Sequence, residues 1–132
     1  MTSHIVIFVT CGSAAEARKL ARALVERRLA ACVNILQAPV ESIYRWKGSV
    51  ESAKEYLLLI KSTRHQFPAL RAEIKRLHSY DVPEIIALPI DAGSPDYLAW
   101  LAASVSTPRE SNPAKAKSRN ARHRKSRPAN AR

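Results

Sequence analysis

Glycine is scarce in this chain: three stand in 132 residues, at Gly12, Gly48 and Gly93. A loop that wraps a phosphate needs glycines close together so that the backbone can approach the ligand. Neither G-x-G-x-x-G nor G-x-x-x-x-G-K-[ST] occurs, which excludes nucleotide sites of those kinds. G-x-S-x-G and H-E-x-x-H are missing too, and no Ser, His and Asp stand in a recognisable nucleophile arrangement, so catalysis is not expected. Cysteine is rarer still. Cys11 and Cys32 form neither CxxC nor a Cys/His spacing of structural zinc, and in the reducing cytoplasm, the default compartment for a chain with no expected membrane span or secretion signal, they are expected as free thiols. No apolar run approaches the roughly 18 residues of a membrane helix. The run Ile5–Val9 is shorter than the core of a secretion signal and follows no basic segment, so neither membrane nor secretion is expected.

Acid is nearly absent from one end. Residues 1–106 carry 13 Lys or Arg against 10 Asp or Glu, whereas residues 107–132 carry nine basic residues against Glu110 alone. The net charge of +11 is therefore mostly a property of the tail. That tail also lacks Leu, Ile, Val, Phe, Tyr and Trp, so it is read as disordered. Two roles suit it: contacts to the phosphates of nucleic acid or another polyanion without sequence reading, or a solubilising extension. Residues 1–106 form the one expected domain. A core of that size buries about 60 to 70% of its unfolded surface, so association with a partner would help it.

The most informative stretch is Val40 to Thr63, VESIYRWKGSVESAKEYLLLIKST. It reads as two long strands folded back on each other, with Lys47-Gly48-Ser49 as the turn. Ser42, Tyr44 and Trp46 share one face of the first arm and Ile43, Arg45 and Lys47 the other, because strand side chains alternate. The second arm, Glu55 to Lys61, holds Tyr56-Leu57-Leu58-Leu59-Ile60, a run expected in a strand covered on both faces. Each arm reaches about 25 to 35 Å, beyond what one small domain covers, so the ribbon calls for a partner.

The remaining elements follow from pattern. His4–Thr10 is β-branched and apolar, fitting a central strand. Ser13-Ala14-Ala15-Glu16 has the form of a capping box opening an amphipathic helix over Ala14–Leu29. Cys32–Leu36 starts a second strand, and Pro39 marks a bulge or bend before Val40. Thr63-x-x-Gln66 is a second capping box, before a helix with Leu70, Ile74 and Leu77 on one stripe. Glu84–Ile90 is a short strand. Ser94-Pro95-Asp96 opens a third helix packed through Tyr97, Leu98, Trp100 and Leu101. The order β-α-β-β-α-β plus a short helix predicts an α+β, ferredoxin-like fold with helices on one face of an antiparallel sheet.

Five stretches together carry a family resemblance: Leu29-Ala30-Ala31-Cys32-Val33-Asn34, Tyr44-Arg45-Trp46-Lys47-Gly48, Glu55 with Lys61-Ser62-Thr63, His78-Ser79-Tyr80-Asp81-Val82-Pro83-Glu84-Ile85, and Tyr97-Leu98-x-Trp100-Leu101. Over about residues 4–104 the chain resembles the CutA family, the divalent-cation tolerance proteins. The resemblance implies a tight homotrimer similar in architecture to the PII signalling proteins, with the long hairpin shared between subunits, and a role in tolerance to copper and other divalent metals. It implies no reaction. It also implies metal ligands: a cysteine near the end of the first strand and histidines just before a Pro-Tyr pair. Thr10 takes that cysteine's position here, with Cys11 beside it, and the histidine segment reads Leu77-His78-Ser79-Tyr80.

Cys11 and His78 are accordingly the candidate ligands, for copper or zinc. The alternative for them is a buried strand-end thiol and an imidazole near a helix's negative end. Tyr44, Trp46, Glu55, Lys61, Tyr80 and Glu84 are the candidates for an intersubunit cleft that takes a small molecule or a partner protein. Against that stands a structural role, with Glu55 and Lys61 in ion pairs across the trimer and the aromatic residues as packing.

Overall fold

A computed structural model describes residues 3–105. The basic tail, and with it the expected polyanion contacts of residues 107–132, lies outside the described residues. Five strands and three α-helices follow in the order β1 (His4–Cys11), α1 (Ala14–Glu26), β2 (Cys32–Ile35), β3 (Val40–Trp46), β4 (Ser49–Thr63), α2 (Phe67–Leu77), β5 (Ile85–Pro89) and α3 (Pro95–Ser104). The sheet is antiparallel in the order β2-β4-β1-β5, with β3 also paired to β4. β1 and β2 both run against β4, and β4 and β5 both run against β1. Two split βαβ units therefore interleave, and the two longest apolar strands occupy the centre. No described helix is long and apolar enough to cross a membrane.

The second strand of the sequence pattern divides in two. Pairing with β4 stops at Ile35 and resumes at Val40, because Pro39 has no N–H to give to a ladder. β4 consequently has two halves. Residues 56–63 are flanked by β1, and residues 49–55 pair only with β3, as a ribbon leaving the sheet. Its turn is tighter than the three residues expected: Trp46 pairs with Ser49, and Lys47 and Gly48 take φ of 50° and 85°. This two-residue loop with positive φ at both positions matches the twist of the flanking strands. A Cβ on Gly48 would meet nothing within 4 Å, so Gly48→Val is expected to cost only its conformational strain, about 1 to 2 kcal/mol, read as a lower urea midpoint with unchanged slope.

The helix boundaries show where local signals yield. Ser13 caps α1 by accepting the Glu16 N–H at 3.1 Å, but the Glu16 side chain does not complete the box. α1 ends at Glu26, short of Leu29, because Arg28 enters the left-handed region at φ 59°. The N–H groups of Arg27, Leu29 and Ala30 then close back on the carbonyls of Ala23 and Leu24. Thr63 makes no side-chain cap; a 3-10 turn over Arg64–Gln66 precedes α2, with Pro68 in its first turn. Ser94 stands at the N-cap of α3 without a side-chain bond, leaving Pro95 and Asp96 as the starting signals.

α1 and α2 cover one face of the sheet. Ile5, Ile7, Val9 and Cys11 of β1 and Leu58 and Ile60 of β4 meet Ala17, Leu20, Leu24, Leu70 and Ile74 in the main core. Buried Glu73 accepts from Arg76 and Arg27 and ties α2 to the end of α1. A smaller cluster forms where Leu101 and Val105 pack with Ala31, Ile90 and Trp100. The opposite face of the sheet carries Val6, Phe8, Leu57, Leu59, Ile86 and Leu88, none of which joins either cluster. Within the subunit, then, the apolar run of β4 is covered on one side only.

Candidate functional site

The end of β1 delivers two consecutive side chains to opposite faces of the sheet. Cys11 follows Ile7 and Val9 into the helix side and is fully buried, whereas Thr10 lines a cleft on the other side. Two further elements meet Cys11. The first turn of α1 supplies Glu16, and the residue after α2 supplies His78, 8% exposed. One sulfur, one carboxylate oxygen and one ring nitrogen of these three residues lie within 4.8 Å of one another.

Hydrogen bonds fix the group. His78 Nε2 lies 2.8 Å from the Thr10 carbonyl, and the Tyr80 N–H donates to His78 Nδ1 at 3.0 Å. A carbonyl only accepts and a backbone N–H only donates, so this pair defines the neutral tautomer with the proton on Nε2. Glu16 explains why the capping box stays open. Its Oε2 accepts from Ser79 N at 2.7 Å and its Oε1 from Ser79 Oγ at 3.1 Å, leaving Oε2 3.5 Å from His78 Nδ1. Burial, and then the charges of Glu16 and Glu55, push the Cys11 thiol up to about 12.

The donor set fits a borderline ion such as copper or zinc, which accept sulfur, imidazole nitrogen and carboxylate together. Burial is the main reason the thiol stays protonated, and the two carboxylates that add to it are also what a cation would favour. Filling the site would displace the thiol proton and the Tyr80 N–H bond at Nδ1.

The second constellation is a cleft of about 870 Å³ between the β3–β4 ribbon and the segment leading into β5. It gathers Tyr44, Trp46, Glu55, Tyr80 and Glu84 of the sequence candidates, together with Thr10, Arg45, Glu51 and Asp81. Tyr80 joins the two sites. Its hydroxyl donates to Glu55 Oε2 at 2.9 Å, its ring stands 4.7 Å from that of His78, and its N–H holds Nδ1. Burial, and then the hydrogen bond to Glu55 and that carboxylate's charge, raise the Tyr80 phenol to about 12. Its hydroxyl also approaches Gly12, where a Cβ would stand 3.3 Å from it. Lys61 is not in the cleft lining; its Nζ donates to Asn34 Oδ1 and, at 3.3 Å, to the Leu59 carbonyl.

Glu16 is the residue that the sequence pattern assigned elsewhere. Its capping-box position is a sufficient local reason for a glutamate, and nothing local announces Ser79, 63 residues further on.

Known proteins resemble this chain in sequence and fold. Residues 5–104 match the family described as CutA1 divalent ion tolerance protein. The chain is 54% identical over 96 residues to the divalent-cation tolerance protein CutA of Thermus thermophilus, covering 73% of this chain and 92% of that protein. It is 47% identical over 94 residues to mouse protein CutA, covering 71% of this chain; the chain spans about half, 52%, of the mouse protein's length. The solved structure of the Thermus thermophilus divalent cation tolerance protein superposes with a TM-score of 0.76 at 50% identity, over 78% of this chain and 99% of that one.

Proposed function

Since this chain belongs to the CutA1 divalent ion tolerance family, we propose that it serves divalent-ion tolerance as a homotrimer that takes up copper or zinc at Cys11, Glu16 and His78. The approach of those three side chains to within 4.8 Å carries the metal reading. Burial restricts the site to ions that shed their water readily for sulfur and nitrogen, which favours copper and zinc over magnesium or calcium. Three protein donors leave a coordination position for water or for a group from outside the subunit.

The trimer reading rests on the uncovered apolar face of β1, β4 and β5 and on a ribbon that leaves its own sheet. In the ferredoxin-like, PII-like assembly we propose, that face meets neighbouring subunits, and the ribbon reaches across them. We assign no catalytic step, and we place the chain in the cytoplasm on the strength of two free thiols, Cys11 and Cys32.

Calorimetric titration of the reduced chain with Cu(II) and Zn(II) tests the site. Saturable binding is expected, weakened about tenfold or more in His78→Ala and in Glu16→Gln, as losing one of three donors predicts. Saturation that neither change disturbs would remove the assignment, as would no binding at all.

A further inference from the structure

The imidazole nitrogen that faces Glu16 has a single lone pair, and the backbone already uses it. His78 Nε2 donates to the Thr10 carbonyl at 2.8 Å, so Nδ1, 3.5 Å from Glu16 Oε2, is the nitrogen that accepts. What it accepts is the Tyr80 N–H, at 3.0 Å. Glu16 is under no such restriction. Its two oxygens offer about four acceptor sites, so it can keep the Ser79 N–H and hydroxyl and still meet an ion. At Nδ1 an ion and the Tyr80 N–H are alternatives.

The far end of Tyr80 is tied to another element. Its hydroxyl donates to Glu55 Oε2 at 2.9 Å, and Glu55 is the residue at which the ribbon leaves the sheet. Tyr56 pairs with Cys11 on β1, whereas the next residue outward, Glu55, pairs with Val40 of β3 alone. Only Ser79 separates His78 from Tyr80. While His78 keeps its bond to Thr10, the Tyr80 N–H can leave Nδ1 only if the backbone at Ser79 and Tyr80 turns, and that turn carries the phenol with it. Residues 78–84 belong to no helix or strand, so no ladder resists the movement.

We propose that Tyr80 is a latch between the metal site and the root of the ribbon. Occupancy of Cys11, Glu16 and His78 by copper or zinc releases the Tyr80 N–H from Nδ1 and draws the hydroxyl off Glu55. The inference rests on the metal reading of those three residues. Both latch bonds lie within one subunit, so the device needs no partner to operate. Because coupling is reciprocal, the bond to Glu55 holds the site closed as much as an ion opens it.

Tyr80→Phe keeps the ring beside His78 and removes only the hydroxyl. Wild type and variant, as full reduced chains, are titrated calorimetrically with Zn(II). The variant is expected to bind zinc about tenfold more tightly, since it no longer has to break a hydrogen bond to a charged group. A merely structural role for Tyr80 would leave affinity unchanged or lower it. In the wild type, zinc saturation should also speed hydrogen exchange at the Tyr80 amide, which loses its acceptor, while the amides of Leu20 and Leu24 in α1 stay protected. Equal or weaker zinc binding in a variant that melts cooperatively would overturn the latch and leave the metal site standing. So would a Tyr80 amide that keeps its protection at saturation, and this measurement decides alone if Tyr80→Phe does not fold. No zinc binding by either protein would remove the metal site and the latch with it.

Discussion

A chain with Leu59 replaced by lysine is expected to fold as a subunit and to lose its self-association. Leu59 lies on the sheet face turned away from α1 and α2, opposite Phe8 on β1 and Asn34 on β2, and joins neither apolar cluster. In the free subunit the new ammonium reaches water along the face, at a cost within the range of ordinary surface changes, about 0.5 kcal/mol. In a trimer the same charge would be buried three times over among Val6, Phe8 and Leu57. Lys61, two residues along on the same face, would add like-charge repulsion. Desolvating an unpaired ammonium costs several kcal/mol per site, enough to dissociate an assembly at micromolar concentration. Light scattering should give about 44 kDa for the wild type, three times the 14.7 kDa chain, and the chain mass for Leu59→Lys. A wild-type mass near 14.7 kDa would remove the trimer, and a variant that keeps the trimer's mass would place the interface elsewhere. Retained far-ultraviolet dichroism with a cooperative melt would separate lost assembly from lost folding.

The residues that made the fold legible were those whose pattern is local. His4–Thr10 announced a central strand by an unbroken β-branched run, and Leu20, Leu24, Leu70 and Ile74 announced two helix stripes by spacing. Pro39 announced the interruption between β2 and β3 by lacking a donor. Where a signal needed a distant partner, the sequence was silent or misleading. Arg28 ends α1 with no glycine to mark the turn. Glu16 looked like half of a capping box, because a carboxylate three residues after a serine is explained locally; its bonds to Ser79 depend on packing α1 beside the end of α2. Cys11 and His78 were legible as residue types, but their approach is a property of the sheet. β1 alternates, so Cys11 shares the helix-side face with Val9 while Thr10 turns to the cleft. Lys61, grouped with Glu55 by its place on the strand, bonds Asn34 instead, since the register sets Asn34 beside it on the same face.

Alkaline pH is expected to destabilise the folded chain through Cys11 in particular. Its thiol stands near 12 when folded, against 9.0 in an unperturbed chain. A raised folded pKa stabilises the protein fully below the unfolded value, and that contribution is lost as pH rises through the folded one. The window is therefore from about pH 9 to about pH 12, with unfolding becoming easier as pH rises because the unfolded state releases its proton first. At 1.36 kcal/mol per unit, the loss by about pH 11 is about 3 kcal/mol. Tyr80 acts in the same direction from about pH 10, less strongly because its side chain is partly exposed. The comparison is urea unfolding of wild type and Cys11→Val at pH 8 and at about pH 11. Valine fills the buried position without titrating, so the variant should lose about 3 kcal/mol less than the wild type across that interval. A parallel loss in both would mean that the thiol is not held protonated by its surroundings. The same proton links stability to the proposed metal site. A copper or zinc ion bound to Cys11 replaces it, so the metal-loaded wild type should lose the alkaline slope that the free chain shows, and Cys11→Val should be indifferent to metal in this assay.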